Sequence, residues 1–539
     1  MAKYIFVTGG VVSSLGKGIT AASLGRLLKN RGYKVNIQKF DPYINVDPST
    51  MDPTQHGEVY VTKDGGETDL DIGHYERFLD IDFDKNCDCT SGKIYSTIIA
   101  KERKGEYLGA TIQVVPHVTS EIKNVIKSAG EDNDIVIVEI GGTVGDIEGL
   151  AFLEAIRQMT RELKVGNYVH IHCTLVPYLE SAGEVKTKPT QHSVKELTSL
   201  GLNPDIIVCR TNKDVELSDH NKRKIAMFCN LLSPECVIHN PDCKSIYEVP
   251  LVLNAQGLDR IVCGLLELPL GSCDLTEWKE MVDLMEGDLP LVNIAIVGKY
   301  TEVQDSYISV SEAIKHAALK NKHKAKITII SSEDLEVAGA KEMLKSFDGV
   351  VVPGGFGARG TEGKIMTAQY CRENLIPYLG IGYGMQLAVV EFARNVLGLK
   401  DANTTEINPR TNNPVIDLAE KDYMSTDSRN MRLGNYKCRL VEGTLARRLY
   451  GLQQIEERHR HSYEFNNKYL DKFIEQGMTV SGINEERNLV EIIEFRDHPF
   501  FVATIAQPEF NSRPYRPHPL FTGFISHSIA NIKKPTIND

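Results

Sequence analysis

The chain has 539 residues, of which 42% are hydrophobic and 25% charged, with a formal net charge of −11 at neutral pH. This length exceeds what one hydrophobic core supports, and the acidic balance argues against nucleic acid as the main partner, because tracking a phosphate backbone needs a basic excess. We find no apolar run of 18 residues and no signal-peptide pattern at the N-terminus. We therefore expect no membrane span and a cytoplasmic location.

Cysteine usage is typical of a reducing compartment. Eleven cysteines are scattered without a repeating pair spacing, and an odd number without a secretion signal predicts free thiols. Cys87 and Cys89 are separated by a single residue and have no matching second pair. We interpret them as loop thiols rather than as a zinc site.

The first predicted strand, Tyr4 to Val7, runs into the glycine-rich stretch GGVVSSLGKG at residues 9–18, and a helical pattern follows from about Ile19 to Asn30. Backbone N–H groups of such a turn and the helix N-terminus suit a polyphosphate, and Lys17 adds a positive charge. The spacing differs from the usual nucleotide loop, because five residues separate the bracketing glycines and a glycine follows Lys17. Hydroxyl groups are available from Ser13, Ser14 and Thr20.

A buried strand with a carboxylate near its end is predicted at Ile135–Ile140, where five apolar residues surround Glu139. Ligands of open α/β sheets gather at the carboxyl edge of the strands, and a buried carboxylate without a ligand is costly, so we assign Glu139 a metal role. The acidic, glycine-containing stretch from Met51 to Tyr75 could supply further oxygen ligands to Mg²⁺. A solvated acidic loop is an equally weighted alternative.

A second polar segment runs from Gly183 to His192 and crowds lysines and hydroxyls into what we expect to be one non-helical turn. Such a turn suits an anion, although a solvated loop is the commoner outcome. The pattern loosens over residues 270–290, our predicted linker, and a new strand and helix series begins at Leu291. We therefore predict two α/β domains, residues 1–269 and 291–539.

Taken together, these segments resemble the CTP synthase family, which aminates UTP using ATP and ammonia derived from an amide. The resemblance covers nearly the whole chain. It rests on the stretches at residues 9–19, 41–47 (DPYINVD), 55–58 (QHGE), 67–77 (ETDLDIGHYER), 141–148 (GGTVGDIE) and 186–194 (KTKPTQHSV). It implies a P-loop-type parallel-sheet synthetase domain, followed by an α/β domain like the class I glutamine amidotransferases.

The resemblance also implies the roles of individual residues. Lys17 and Lys39 would be catalytic, and Asp71 and Glu139 would hold Mg²⁺. ATP would contact Ser13, Ser14, Leu15, Gly16, Lys17, Gly18, Ile19 and Asp71. UTP or CTP would contact Ser13, Asp146, Ile147, Glu148, Lys186, Thr187, Lys188, Pro189, Thr190, Gln191 and Lys224. The chemistry agrees, because the uracil 4-oxygen is a poor leaving group until it is phosphorylated, and phosphoryl transfer needs such charge stabilisation.

The second half resembles the family's glutaminase but lacks two members of its Cys-His-Glu triad. Gly382 stands at the nucleophile position in GIGYGMQ (380–386), and Gln507 stands at the base position before Pro-Glu-Phe, which leaves Glu509 without an imidazole. Glycine tolerates the strained turn but has no side chain to attack a carbonyl. Cys371 is a packed thiol rather than a substitute. The residual glutamine pocket would comprise Gly354, Gly355, Gln386, Glu406 and Arg460.

Three hypotheses follow from this resemblance. The first is a UTP-aminating ligase that uses free ammonia, with CTP as product and feedback inhibitor. The second is a ligase that joins another amine to UTP, and the third is a non-catalytic regulatory paralogue that binds pyrimidine nucleotides. The family implies a homotetramer. It also implies GTP activation, which the altered lid SRNMRLG at residues 428–434 puts in question.

Overall fold

The computed structural model describes residues 2–12, 15–418 and 431–532. Ser13 and Ser14 of the predicted nucleotide site, and residues 428–430 of the lid, lie outside the described residues. Two compact units are formed, one by Met1–Ser49 with Asp71–Leu284 and the other by Thr50–Leu70 with Met285–Asp539. Within the described ranges, no helix combines the length and apolar character that a membrane span requires.

The β-strands are numbered in chain order. They are β1 (Lys3–Gly9), β2 (Val35–Asp41), β3 (Tyr60–Val61), β4 (Glu67–Thr68), β5 (Asp88–Thr90), β6 (Ile135–Ile140), β7 (Tyr168–Leu175), β8 (Tyr178–Leu179), β9 (Glu184–Val185), β10 (Ile206–Thr211), β11 (Val237–Pro241), β12 (Leu291–Gly298), β13 (Lys324–Ser331), β14 (Gly349–Val352), β15 (Tyr378–Ile381), β16 (Asn403–Thr404), β17 (Pro414–Leu418), β18 (Arg432–Leu440), β19 (Gln454–His461), β20 (Tyr463–Phe465), β21 (Met478–Asn484), β22 (Leu489–Phe495) and β23 (Phe501–Thr504).

The α-helices are numbered in the same way. They are α1 (Lys17–Asn30), α2 (Pro53–His56), α3 (Asp71–Leu79), α4 (Ser91–Arg103), α5 (Thr119–Ser128), α6 (Leu150–Glu162), α7 (Lys188–Ser199), α8 (Asp219–Phe228), α9 (Val249–Ala255), α10 (Leu258–Leu265), α11 (Thr276–Glu286), α12 (Ile308–Lys320), α13 (Ser332–Ala338), α14 (Ala340–Leu344), α15 (Thr361–Glu373), α16 (Tyr383–Asn395), α17 (Leu445–Tyr450), α18 (Leu470–Glu475) and α19 (Pro519–Ile532).

The first unit is built on a seven-stranded sheet in the order β11-β10-β7-β1-β6-β2-β5, and every strand pair in it is parallel. β6 is buried along its whole length, as a strand covered on both faces should be. Parallel alignment brings the carboxyl ends of β1, β2, β6 and β7 to one edge, where ligands of open α/β sheets bind. The predicted α/β class is confirmed.

The second unit contains a nine-stranded sheet in the order β13-β12-β14-β15-β23-β22-β21-β18-β19. The pairs from β13 to β23 are parallel and the remaining pairs are antiparallel. Alternate residues of β12 enter two different cores, with Ile294 and Ile296 in one and Ala295 and Val297 in the other. The sheet is therefore covered on both faces, one of them by α12 and α19 and the other by α15 and α16.

The predicted linker contains an ordered helix that belongs to the first unit. α11 lies within residues 270–290, and its Trp278 is only 1% exposed. The indole packs against Phe78 and Tyr247, with ring centroids 5.5 and 5.8 Å apart, and its N–H donates to the Tyr247 carbonyl. The loosened sequence pattern does not reveal this helix, which buries only Trp278, Met281 and Val282.

The acidic stretch predicted at Met51–Tyr75 is divided between the two units. Residues 50–70 pack within the second unit, where Tyr60 contacts Phe510 with ring centroids 4.7 Å apart and Glu58 accepts the Ser309 N–H. A role of this segment's carboxylates as further Mg²⁺ ligands stays a prediction. Asp71 lies in the first unit, because the chain returns there at the start of α3.

Replacing Trp278 with alanine is expected to destabilise the protein by about 3–5 kcal/mol, the usual effect of emptying a buried aromatic site. Urea unfolding followed by far-ultraviolet circular dichroism measures this change without using tryptophan emission. Glu280→Ala, at an exposed position of the same helix, serves as the control and should stay within about 0.5 kcal/mol of wild type. An equally small effect of Trp278→Ala would show that the indole does not anchor this helix.

Candidate active site

The glycine-rich loop connects β1 to α1 through an unusual backbone. Gly16 has φ +75° and accepts the first helical N–H, from Thr20, while Val11 has φ +85°, which is strained for a β-branched residue. Lys17 opens the helix, and its side chain lies across Gly9, where a Cβ would stand 2.8 Å from Lys17 Cδ. Its Nζ donates to the Gly142 carbonyl, and burial lowers the pKa of this ammonium.

Three carboxylates surround the Lys39 ammonium at the carboxyl edge of the sheet. Lys39 and Glu139 are direct neighbours in the β2–β6 register, with Lys39 Nζ 3.8 Å from the Glu139 carboxylate and 3.9 Å from Asp41. Asp71, at the start of α3, forms an ion pair with the same ammonium. A Cβ on Gly18 would lie 2.3 Å from Asp71 Oδ1, so the glycine after Lys17 lets this carboxylate approach the loop.

The two predicted metal ligands differ in their electrostatic surroundings. Burial opposes ionisation of Asp71, but Lys39 and His74 outweigh it, and the pKa of Asp71 is lowered. Burial together with the neighbouring Asp71 carboxylate raises the pKa of Glu139, although Lys39 acts against it. The Tyr75 hydroxyl donates a hydrogen bond to Glu139 and fixes the orientation of that carboxylate.

These residues fit a magnesium ion that is shared with phosphates. The donors are hard oxygens, and a positive charge already lies among them in the form of Lys39. Within the described part of the chain, no group of three or more His, Cys, Asp or Glu side chains forms a complete metal cage. Mg²⁺ usually binds through one or two carboxylates plus phosphate oxygens and water, and Asp71 and Glu139 offer two carboxylates.

A buried hydrogen-bond relay lies beneath the loop. His172 is 2.9 Å from the Thr8 hydroxyl through Nδ1 and 2.8 Å from the Ser193 hydroxyl through Nε2, and Thr8 also contacts His170. Burial lowers the pKa of His172 to about 3, so the imidazole is neutral and offers one donor and one acceptor. The relay joins β1, just before the loop, to α7.

The predicted pyrimidine turn is partly helical, which corrects the expectation of a non-helical turn. α7 begins at Lys188 with Pro189 in its first turn, a position that suits proline because no intrahelical N–H is lost there. The Thr190 hydroxyl is buried against Thr174, while Lys186 forms an ion pair with the exposed Glu184. Lys224 also lowers the pKa of Glu184, after the larger effect of Lys186, so both lysines share this surface.

The remaining residues assigned to the pyrimidine nucleotide lie on another loop. Asp146, Ile147 and Glu148 follow β6 and are exposed. The backbone of this loop is tied to the nucleotide loop by the hydrogen bond from Val144 N–H to the Gly9 carbonyl.

In the second unit, a strand, a sharp turn and a helix form an elbow. β15 ends at Ile381, Gly382 adopts φ +54° and ψ −109°, and α16 starts at Tyr383. A Cβ on Gly382 would lie 2.5 Å from Gln507 Nε2 and 3.8 Å from Gly354 Cα. The carboxamide of Gln507 therefore lies directly over the elbow. The expectation that the strained turn survives at Gly382 agrees with this geometry.

Two buried lysines hold the loop beside the elbow. Lys364 Nζ donates to the Pro353 carbonyl and Lys299 Nζ to the Phe356 and Gly357 carbonyls, and both lie near the Tyr383 ring. Burial lowers the pKa of Lys364 to about 7 and that of Lys299 to about 8. The Tyr383 hydroxyl donates to the Gly357 carbonyl, which further restrains this loop.

The predicted pocket residues are engaged with the protein itself. Glu406 accepts a hydrogen bond from the Gly357 N–H, and Gln386 donates one to the Tyr463 carbonyl. Arg460 forms a 2.9 Å ion pair with Glu67, which lies in the 50–70 segment of the second unit. Cys371 is fully buried in α15, and burial raises the pKa of its thiol. It is thus a packed thiol, as expected.

Comparison with known proteins matches both units. A family described as CTP synthase N-terminus matches residues 3–268, and one described as glutamine amidotransferase class-I matches residues 302–527. The CTP synthase of Caldanaerobacter subterraneus subsp. tengcongensis is 57% identical and that of Bacillus subtilis 55%, over 99% and 98% of this chain and 99% of each relative. The chain belongs to the CTP synthase family.

A solved structure of the Trypanosoma brucei CTP synthase glutaminase domain with bound acivicin is 36% identical to this chain. It covers 44% of this chain and 94% of its own, with a TM-score of 0.42. The activity of this CTP synthase-family chain is the ATP-dependent conversion of UTP to CTP. The resemblance inferred from the sequence motifs is confirmed.

Several residues near the nucleotide loop and the elbow are not among the residues predicted from the sequence. Tyr75 had a usable signal, because it follows Asp71 by four residues on one helix and so shares its face. The relay had none, since Thr8, His172 and Ser193 are far apart in sequence and meet only through sheet register. The lysines beside the elbow, Lys299 and Lys364, also give no local pattern.

Gly10→Ala is expected to weaken ATP binding more than about tenfold, which corresponds to about 1.4 kcal/mol. The added Cβ would lie 1.9 Å from Ser193 Oγ and 3.1 Å from Ser193 Cβ. Adding Ser193→Ala removes the worse contact and should restore part of the affinity. Isothermal titration calorimetry measures both variants. The matched control is Gly264→Ala, where a Cβ meets nothing within 4 Å. If the Gly10→Ala Ser193→Ala double variant bound ATP no more tightly than Gly10→Ala alone, the assignment would be contradicted.

Proposed function

We propose that this CTP synthase-family protein aminates UTP with free ammonia through a 4-phosphorylated UTP intermediate, and that it does not hydrolyse glutamine. The main observation behind this proposal is that Gly382 and Gln507 lie together at the elbow. The neutral carboxamide of Gln507 occupies the space above Gly382, which has no side chain. Neither residue can act as a nucleophile or as a general base at neutral pH.

The synthetase chemistry is assigned to the first unit. Lys17 and Lys39 would stabilise the phosphoryl group as it moves from ATP to the uracil 4-oxygen, and Asp71 and Glu139 would hold Mg²⁺, which supplies further charge neutralisation when bound. The clustering of these groups around Lys39 supports the proposal. UTP would use the start of α7 with Lys186 and Lys224, together with the 146–148 loop.

Intact phosphoryl-transfer groups favour an enzyme over a regulatory paralogue. A protein that only bound pyrimidine nucleotides would gain nothing from a buried lysine and carboxylate cluster, which costs free energy to keep out of water. The homotetramer and CTP feedback remain part of the proposal by family resemblance, and the altered lid leaves GTP activation in question. No described contact bears on them.

The decisive measurement compares nitrogen sources. CTP formation, followed by chromatography with ATP, UTP and Mg²⁺, is expected with ammonium chloride and absent with glutamine freed of ammonia. CTP formation supported by glutamine would contradict the proposal. Product masses from a panel of amines separate this function from a ligase for another amine, and loss of UTP-dependent ATP hydrolysis would indicate the regulatory paralogue.

Lys17→Ala should abolish ammonia-dependent CTP formation, because it removes the ammonium that the loop presents to the phosphoryl group. Gly382→Ala, at the elbow of the other unit, is the comparison and should leave this activity largely intact. Initial rates at saturating ammonium measure both. Turnover by the Lys17→Ala protein would refute the role of the loop.

Restoring glutaminase activity is expected to need two changes. Gly382→Cys alone places a Cβ 2.5 Å from Gln507 Nε2 and provides no base, whereas Gly382→Cys with Gln507→His supplies both nucleophile and base and leaves Glu509 to orient the imidazole. Glutamate release from glutamine measures hydrolysis. Activity in the single variant equal to that of the double variant would show that Gln507 is not at the base position.

A further inference from the structure

The relay beneath the nucleotide loop is a chain of four polar side chains in the interior of the first unit. Thr8 and His172 are register neighbours on β1 and β7, and the hydrogen bonds that run from His170 through Thr8 and His172 to Ser193 are 2.8–2.9 Å long. All four side chains are buried. Replacing a buried hydrogen-bonded pair with apolar groups of the same shape can be nearly neutral or stabilising, so packing alone does not explain this chain.

The hydrogen bonds of the relay have one favoured direction. Burial lowers the pKa of His170 to about 4 and that of His172 to about 3, so at neutral pH each imidazole is uncharged and has one N–H. The buried Nδ1 of His170 has no partner among the described residues, and a buried N–H without an acceptor is rarer than a buried acceptor without a donor. His170 Nε2 therefore donates to Thr8, Thr8 donates to His172 Nδ1, and His172 Nε2 donates to Ser193 Oγ. The relay thus holds this oxygen in one place, as an acceptor.

The fixed Ser193 oxygen supports the start of the nucleotide loop. A Cβ on Gly10 would lie 1.9 Å from Ser193 Oγ and 3.4 Å from His172 Nε2, so the Gly10 backbone packs directly on the end of the relay. The Gly10 N–H also donates to the Cys173 carbonyl on β7, with 3.1 Å between nitrogen and oxygen. The first residues of the loop therefore cannot move towards α7 without displacing Ser193.

Ser193 also belongs to the helix that carries the proposed pyrimidine site. It follows Thr190 by three residues on α7, and the Thr190 hydroxyl lies 3.2 Å from the Thr174 hydroxyl and 3.3 Å from the Leu175 carbonyl. Because one turn of a helix is rigid, a displacement of Ser193 is passed to the residues at the start of α7. Packed side chains, hydrogen-bond chains and rigid secondary elements are the physical means by which two sites are coupled.

We propose that His172 and Ser193 are positioning residues that couple the nucleotide loop to the start of α7, so that ATP at the loop and UTP at α7 strengthen each other's binding. The inference rests on the proposed placement of the two nucleotides at these elements. Neither residue needs to touch a nucleotide, because the contact at Gly10 transmits the position of the loop to the helix. Since coupling between two ligands is reciprocal, UTP gains from ATP by the same factor as ATP gains from UTP.

Calorimetric titration with a non-hydrolysable ATP analogue, with and without saturating UTP and in the presence of Mg²⁺, measures the coupling on the full chain. In the wild type, UTP should lower the dissociation constant of the analogue at least about fivefold. Ser193→Ala should reduce this factor to below about twofold, while the dissociation constant of each nucleotide alone changes by less than about threefold. Sedimentation under each condition restricts the comparison to samples of equal assembly state.

A pair of variants at Thr8 separates the hydrogen bond from packing. Thr8→Val removes the hydroxyl at almost unchanged volume and should abolish the coupling, whereas Thr8→Ser keeps the hydroxyl and should retain the coupling. Thr198→Ala removes a hydroxyl from an exposed position of α7 and should behave as wild type.

Coupling of wild-type size in Ser193→Ala or Thr8→Val, its loss in Thr8→Ser, or no UTP-dependent gain in the wild type would overturn the proposal. So would a loss of affinity for each nucleotide alone in Ser193→Ala, since that result indicates a merely structural role. The titration includes no nitrogen source, so failure of the ammonium assay removes the proposed function and leaves the coupling intact. Binding of both nucleotides without mutual gain removes only the coupling.

Discussion

The ion cluster around Lys39 is the constraint on which the first unit depends. Lys39, Asp71 and Glu139 are carried by β2, α3 and β6, and they converge because parallel strands end at one edge of the sheet. The desolvation penalty of a buried ion cluster can exceed the Coulombic gain, and a ligand that completes the cluster offsets this cost. Nucleotide phosphates and Mg²⁺ would do so, which explains why the loop glycines leave room for these side chains instead of for apolar packing.

In the second unit, the backbone of the elbow does not depend on a side chain at position 382. The elbow at Gly382 is stabilised by the N–H bond to the Thr504 carbonyl and by the N-terminal turn of α16, neither of which involves the side chain at position 382. Glycine also accepts φ +54° without steric cost. A glycine at this position therefore does not disturb the fold, and the neighbouring Gln507 lies over it.

Sequence patterns predicted the parts of the structure that depend on local chemistry. The glycine-rich loop, the buried strand with Glu139 and the strained turn at Gly382 each leave a contiguous signature. The relay through His172 could not be predicted, because it depends on which strands are neighbours in the sheet. No single segment of the sequence determines the strand order. The helix around Trp278 was missed because a short, loosely patterned segment that buries only Trp278, Met281 and Val282 resembles a linker.

The assignment of residues 50–70 to the second unit gives a reason to keep that unit whether or not it hydrolyses glutamine. Tyr60 accepts a hydrogen bond from Arg458, and Glu67 pairs with Arg460, so this stretch of the N-terminal half depends on partners near the end of the chain. The chain leaves the first unit after Ser49 and returns at Asp71, one of the proposed metal ligands. Removing the second unit would strip the segment of its packing and leave the start of α3 at the end of an unsupported loop. Selection for Asp71 geometry would therefore retain the second unit independently of any catalysis by that unit.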